Sequence, residues 1–214
     1  ATSLWLENHS MDIVMGMDRT SKQTHIRAGN GVHKAFLDRR RQIEGWLKGH
    51  THFLNPTNKV ILDIEKRSFE DPHLKKLFTN SAMVRNEVLK YYNTDPAKVE
   101  VIHNGVEHEA LGQIFGEWEE IRERIISERN LNHEDHHIVF IGNGYLRKGL
   151  VPLMRGLAQL KNYPFHLHVI GKEKNISTYR EHARALGLKN QTTFLGPQPA
   201  TTPFYALADT VAIP

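Results

Sequence analysis

The chain has 214 residues, 39% hydrophobic and 24% charged, which suits a soluble globular protein with one large domain or two small ones. It has no cysteine, which excludes a disulfide framework and thiolate metal sites, and no apolar run long enough to cross a membrane. Its 28 Lys and Arg against 24 Asp and Glu leave a formal charge of +4, a mildly basic balance that permits contact with nucleic acid, anionic lipid or sugar phosphates and selects none of them.

Leu4 to Asn8 reads as the tail of a helix, and Asp12–Met17 as a buried strand closed by Gly16. Thr24–His33 reads as an extended segment breaking into a glycine-flanked loop at Gly29-Asn30-Gly31. A long helix follows from about Lys34, with Phe36, Leu37, Ile43, Trp46 and Leu47 as its apolar face. Asn55-Pro56 opens another helix, because proline in the first turn loses no needed N–H; Val60, Ile61 and Ile64 are its predicted buried side. Lys76–Asn80 is a short strand, and Ser81 can cap the next helix, in which Val84, Val88, Leu89 and Tyr92 recur on one face. Asp95-Pro96 marks a turn. Val99–His103 is a further strand, ending in Asn104-Gly105.

A polar connection is predicted from Glu107 to Gly116, then an amphipathic helix with Trp118, Ile121, Ile125 and Ile126 inward. The domain boundary is placed between residues 106 and 107. The segment Ile138–Gly149 then dominates the second half: an apolar strand, a turn carrying Gly142 and Gly144, two cations at Arg147 and Lys148, and a helix with Leu150, Leu153, Met154, Leu157 and Leu160 on one face. Such a junction brings backbone N–H groups, a helix dipole and two positive side chains together, which suits a phosphate or diphosphate. The dinucleotide and P-loop fingerprints are both incomplete here, so a plain strand-to-helix turn with two solvated cations is the alternative. Phe165–Gly171, Thr192–Gly196 and Thr210–Ile213 are strands, separated by helices at Ser177–Leu186, stopped by Gly187, and at Thr202–Ala208.

Both halves alternate strand and helix, the signature of a parallel sheet covered by helices. Ligands of such sheets bind beyond the strand C-termini, so the loops at Asn30, Asn80, Asn104, Gly142, Gly171 and Gly196 lie on the predicted functional rims. Two facing rims would enclose a cleft.

Val101–Val106 and Phe140–Gly149, together with the order of segments from Asp12 to Pro214, resemble the family 4 glycosyltransferases, and most closely the lipopolysaccharide core heptose glucosyltransferases. The resemblance implies an α/β architecture of two Rossmann-like domains (GT-B), each incomplete in this segment. Residues 1–106 would be the remainder of the N-terminal acceptor-side domain, and 107–214 the first part of the nucleotide-sugar domain. It implies retaining transfer of a hexose, glucose from UDP-glucose, to a lipopolysaccharide-core or other glycolipid or oligosaccharide acceptor, without a bound metal or other cofactor. Arg147 and Lys148 match the family's donor-diphosphate residues, with Gly142 and Gly144 letting the donor approach the backbone. Asn30 lies where relatives have an acidic residue beside the reacting sugar, and is the candidate catalytic position; an amide can orient a hydroxyl but cannot act as a base. His33, Asn80, Asn104, Gly105, Asn143 and Gly171 are the further cleft-lining candidates. The family's N-terminal glycine loop and C-terminal glutamate pair would lie outside this segment, so this polypeptide alone is expected to be inactive or nearly so.

Other features have blander readings beside them. Among fourteen histidines, His133, His136 and His137 cluster before the central strand, and His166 and His168 share a strand face. None has metalloprotease spacing, and solvated or core histidine is favoured over a metal site. Arg39-Arg40-Arg41 reads as a solvated helix face, with anionic membrane or a phosphorylated acceptor as its functional alternative. The expected location is the cytoplasm, with peripheral contact at the membrane's inner face and no nucleic-acid partner. The rival classes are a non-catalytic α/β sugar-nucleotide or nucleic-acid binding module and a GT-B glucan synthase.

Overall fold

The structure, a computed structural model, describes residues 9, 11–17, 20, 22–44, 51–52, 54–160 and 162–214, the side chain of Ala110 excepted. The chain divides into two compact units, Ala1–Val106 and Glu107–Pro214. The expected helix tail at Leu4–Asn8 lies outside the described residues, as do Trp46 and Leu47.

In the first unit, β1 (Met15–Gly16), β2 (His25–Ala28), β3 (Lys76–Thr79) and β4 (Val99–Val101) pair side by side in that order, all parallel. Alternation sends Ile26, Ala28 and Leu77 into the core, where they meet Val32 and Ala35, Phe69, Val84, Val88 and Tyr92 from the helical side. Two expectations fail here. Only Met15 and Gly16 of the Asp12–Met17 strand pair, and Ile13, Met15 and Met17 are exposed. The reason is that β1 is the edge of the described sheet, with no described element packed over those side chains. In α1 (His33–Glu44), Ala35 and Leu37 are buried but Phe36 and Ile43 are exposed. The buried helical residues are Ala35 and Leu37, and the helical period puts Phe36 and Ile43 on the side opposite the face those two share.

Asn55 caps α2 (Pro56–Phe69), its side chain accepting the Thr57 N–H at 2.9 Å. The inward face of α2 is Glu65, Ser68 and Phe69, while Val60 is exposed. Ser81 caps α3 (Ala82–Tyr91) by accepting the Val84 N–H at 3.3 Å, and Val84 and Val88 face the core.

In the second unit the polar connection expected from Glu107 is instead a helix, α4 (His108–Gly116). Leu111 and Ile114, three apart, give it a short apolar face, and Ile114 joins the core below. Next come α5 (Trp118–Glu128), β5 (His136–Ile141), α6 (Leu150–Leu157), β6 (Phe165–Ile170), α7 (Ile176–Ala185), β7 (Thr192–Gly196), α8 (Thr202–Leu207) and β8 (Thr210–Val211). Leu160, expected on the face of α6, lies past its end and is exposed. The sheet is parallel with order β7-β6-β5-β8. Both faces are covered, which explains the nearly continuous burial of β5 and β6. Ile138, Phe140, Leu167 and Val169 pack with α6 and α7, while Val139 and Ile170 pack with Ile121, Ile125 and Ile126 of α5 and Phe204 and Leu207 of α8. Strands are added outward from β5 to β7, and the chain then returns to place β8 on the other side of β5. The topological switch point therefore lies at the C-terminal end of β5, where the glycine turn begins.

Candidate donor and acceptor rims

The turn after β5 is stapled to the loop after β6. Gly142 N–H donates to Ile170 O (2.9 Å), Asn143 Oδ1 accepts from Lys172 N–H (2.7 Å), and Gly144 N–H donates to Lys172 O (3.1 Å). Gly144 holds φ +70° and Gly171 φ +130°. A side chain at Gly171 would collide with the Gly142 carbonyl, its Cβ lying 2.7 Å from that carbonyl carbon. Gly171 thus serves close backbone approach between two strand ends. Tyr145 locks the turn from beneath. Its N–H donates to Glu173 Oε2 (2.9 Å), its hydroxyl to Gly171 O (2.9 Å), and its ring is fully buried against Phe140, Tyr179 and Phe194. The Asn175 and Tyr145 N–H groups hold the Glu173 carboxyl below the usual carboxylate range, while burial and then the Glu173 charge hold the Tyr145 phenol above its own.

Arg147 and Lys148 are both exposed on this stapled turn. The Lys148 stem lies across Gly142, where a Cβ would come within 3.1 Å of Lys148 Cγ. Neither cation forms an ion pair with a carboxylate among the described residues. The helix dipole contributes less than the sequence implies. Gly149 adopts a left-handed φ of +80°, Leu150 N–H is taken by Tyr145 O (3.1 Å), and Pro152 has no N–H to offer. The anion-attracting character of the turn therefore rests on its two side chains more than on free amides.

In the first unit, Asn30 is exposed at the tip of the loop after β2 and, with Gly29, Gly31, Phe36, Arg39, Asn80 and Ser81, lines a cavity of about 400 Å³ (390 Å³). Asn80 Nδ2 donates to Gly29 O (3.1 Å), tying the β3 loop to the β2 loop. Asn104 Oδ1 accepts from Arg27 Nη2 (2.8 Å), and Gly105 is exposed beside it. His33 is engaged from below. Its N–H donates to both oxygens of Glu65 (2.9 and 3.1 Å), and its Nε2 lies 3.1 Å from Asn58 Oδ1. Glu65 is fully buried and also accepts from the Tyr92 hydroxyl (2.5 Å), so a carboxylate caps the N-terminus of α1 from inside the core. Glu65, Arg27, Tyr145 and Glu173 all escaped the sequence reading. The one sequence signal was Glu65 interrupting the apolar face of α2.

The basic run is largely committed. Arg39 pairs with Glu87, and Arg40 pairs with Glu44 while lying over the Phe36 ring. The histidines also divide. His136 is bonded to Thr210, and His133 lies 3.4 Å from Glu123. His137 and His168 are buried, with His137 Nδ1 3.2 Å from His168 Nε2, and His166 contacts Thr193 Oγ1 at 2.7 Å. Burial lowers the pKa of all three, that of His168 to about 3. No group of three or more His, Asp or Glu is arranged to hold a metal ion among the described residues. No helix among them is long and apolar enough to cross a membrane.

Residues 5–110 match the family described as Glycosyltransferase Family 4, and residues 121–214 match Glycosyl transferases group 1. The fold is shared with WaaG, a glycosyltransferase involved in lipopolysaccharide biosynthesis, at TM-score 0.78 and 18% identity, over 100% of this chain and 56% of that one. It is shared also with Anabaena Alr3699/HepE in complex with UDP and glucose (TM-score 0.58, 16% identity, 89% of this chain and 52% of that one). The lipopolysaccharide outer core galactosyltransferase WaaB is similar at TM-score 0.58 and 14% identity, over 98% and 52%. The chain thus spans about half the length of these structures. A search of curated protein sequences returns no match.

Proposed function

We infer the reaction from the family: the chain belongs to the GT-B glycosyltransferases, and we read its complete protein as moving a hexose from a nucleotide sugar to a saccharide acceptor. In the sharper form of this reading the donor is UDP-glucose, the acceptor a lipopolysaccharide-core or other glycolipid, and the configuration is retained. The similar proteins solved with UDP and glucose, or named for lipopolysaccharide synthesis, support that choice. As the glycosidic bond to the donor breaks, the departing nucleoside diphosphate gains negative charge. Arg147 and Lys148, held on a turn that needs no reorganisation, stabilise that charge without a resident metal. Asn30 orients an acceptor or donor hydroxyl and takes no proton.

One observation carries this reading: two cations unpaired by any described carboxylate stand on a rigid turn at the topological switch point of a parallel sheet. Titration of UDP and UDP-glucose into the complete protein tests it. Lys148→Ala should weaken both by about tenfold, the scale of one charge-assisted contact. Equal affinity for wild type and variant removes the diphosphate role, and the anomeric configuration of the product, read by NMR, decides retention. The neutral amide at Asn30 favours a second reading, a non-catalytic sugar-nucleotide binding module. UDP-glucose bound tightly but never turned over by the complete protein would select it.

Peripheral contact with an anionic membrane belongs to the same proposal. It would use exposed Phe36 and Ile43 on α1, with exposed Arg41 further round the same helix. Binding to phosphatidylglycerol vesicles should fall severalfold as salt rises from about 0.1 M to about 1 M, where screening shortens to about 3 Å. Salt-independent binding, or none, rejects the contact.

A further inference from the structure

Arg27 occupies an unusual position on the acceptor-side rim. Its neighbours Ile26 and Ala28 point into the core, so the alternation of β2 sends Arg27 to the face opposite the described helices, where it is half-buried. From there the guanidinium folds back over Gly29. A Cβ on Gly29 would lie 2.8 Å from Arg27 Cζ and closer still to Nη1, so this pose exists only because residue 29 has no side chain. Asn104 then fixes the orientation by accepting from Nη2 at 2.8 Å.

No carboxylate among the described residues neutralises this group. Glu100, on the same face of the sheet, is held by Lys76, and buried Glu65 is bonded to His33 and Tyr92. The polar side chains of the surrounding loops, Asn30, Asn80, His103 and Asn104, carry no negative charge. One neutral amide occupies one of five guanidinium donors, and the rest of a rigid planar fork remains. A merely structural tie between Arg27 and Asn104 would not require an unneutralised cation at the C-terminal end of a strand.

We propose that Arg27 binds an anionic oxygen group on the acceptor, a phosphate or a carboxylate carried by its sugars, and so determines which acceptors the protein takes. The inference rests on the glycosyltransfer reading above. Gly29 and Asn104 are positioning residues: one gives the guanidinium room, the other sets its plane.

The test measures binding of one bacterial core oligosaccharide to the complete protein in three forms: native, phosphatase-treated and carboxyl-reduced. One of the two treatments should weaken binding to the wild type by about tenfold, the scale of a charge-assisted pair, and it identifies the anion. Arg27→Gln should bind the native form as weakly as the wild type binds that treated form. Gly29→Ala should do the same with Arg27 still present, because the new methyl displaces the guanidinium. Arg27→Lys should fall between, keeping charge but not the fork. UDP-glucose affinity reports whether each variant is folded. If Arg27→Gln binds the native form as tightly as wild type, or neither treatment matters, the role of Arg27 is overturned and the glycosyltransfer reading stands. If no form binds and UDP-glucose is also ignored, both fall.

Discussion

Replacing Gly171 with alanine should lower the stability of the second unit by about 3 kcal/mol or more, enough to unfold a marginal domain. Two effects act together. The φ of +130° is one that L side chains rarely adopt, and the added Cβ would run into the carbonyl of Gly142. Backbone is all that stands there, so no side chain can swing aside. Relief would require β5 and β6 to part at the end where Gly142 N–H bonds Ile170 O and the Tyr145 hydroxyl bonds Gly171 O. The turn carrying Arg147 and Lys148 would loosen with them. UDP affinity should therefore fall even if enough folded protein survives to assay. Thermal melting read by circular dichroism checks the claim; a midpoint within about 2 °C of wild type, which is below about 1 kcal/mol for a unit of this size, would refute it.

The second large effect is on pH. His168 is held at about 3 against its ordinary 6.5, first by burial and then by the nearby charges of His166, His137 and Arg129. A histidine kept neutral in the fold takes up a proton on unfolding. The unfolded chain is then favoured progressively as pH falls from 6.5 towards 3, and stability is full only above that window. At about pH 5 the loss from this residue alone is about 2 kcal/mol, at 1.36 kcal/mol per unit. His137 and His166, also lowered by burial, deepen the same slope. The groups facing the cluster are Arg122, Arg129, Asp135 and Asp209, and the two carboxylates oppose the effect on His137. Urea unfolding between about pH 7.5 and pH 4.5 should show the decline, and His168→Gln should flatten it. A profile as steep in the variant as in the wild type would assign the acid sensitivity elsewhere.

Both predictions concern contacts that are distant along the chain, and this marks what could be read from residues alone. The segment Ile138–Gly149 was legible because its signals are local: a β-branched apolar run, two glycines and a helical repeat. The helix start at Asn55-Pro56 and the cap at Ser81 were legible for the same reason, since Asn55 and Ser81 each bond an N–H two or three residues away. Helix α4 was missed because it is short and carries two glycines, and the face with Leu111 and Ile114 is completed by the core of the second unit. Phe36 and Ile43 were assigned inward because hydrophobicity offers a helix candidate stripes but does not say which one docks, and here the docked face is that of Ala35 and Leu37.

The candidate sites divide along the same line. Strand–helix alternation and the rule that ligands gather at strand C-termini placed Asn30, Asn80, Asn104, Gly142 and Gly171 at loop positions from local pattern alone. The roles inside those loops were hidden, because Arg27 meets Asn104 across 77 residues, His33 meets Glu65 across 32, and Tyr145 meets Glu173 across 28. The sequence by itself determined the α/β order of elements and the family likeness, since both are written in short-range periodicity and motif. Only the tertiary structure decided which charges are neutralised, such as Arg39 by Glu87, and which meet no carboxylate among the described residues, such as Arg27 and Lys148. The physical reason is that a charge is neutralised or left free by its neighbours in space, and sheet register brings those neighbours from remote parts of the chain.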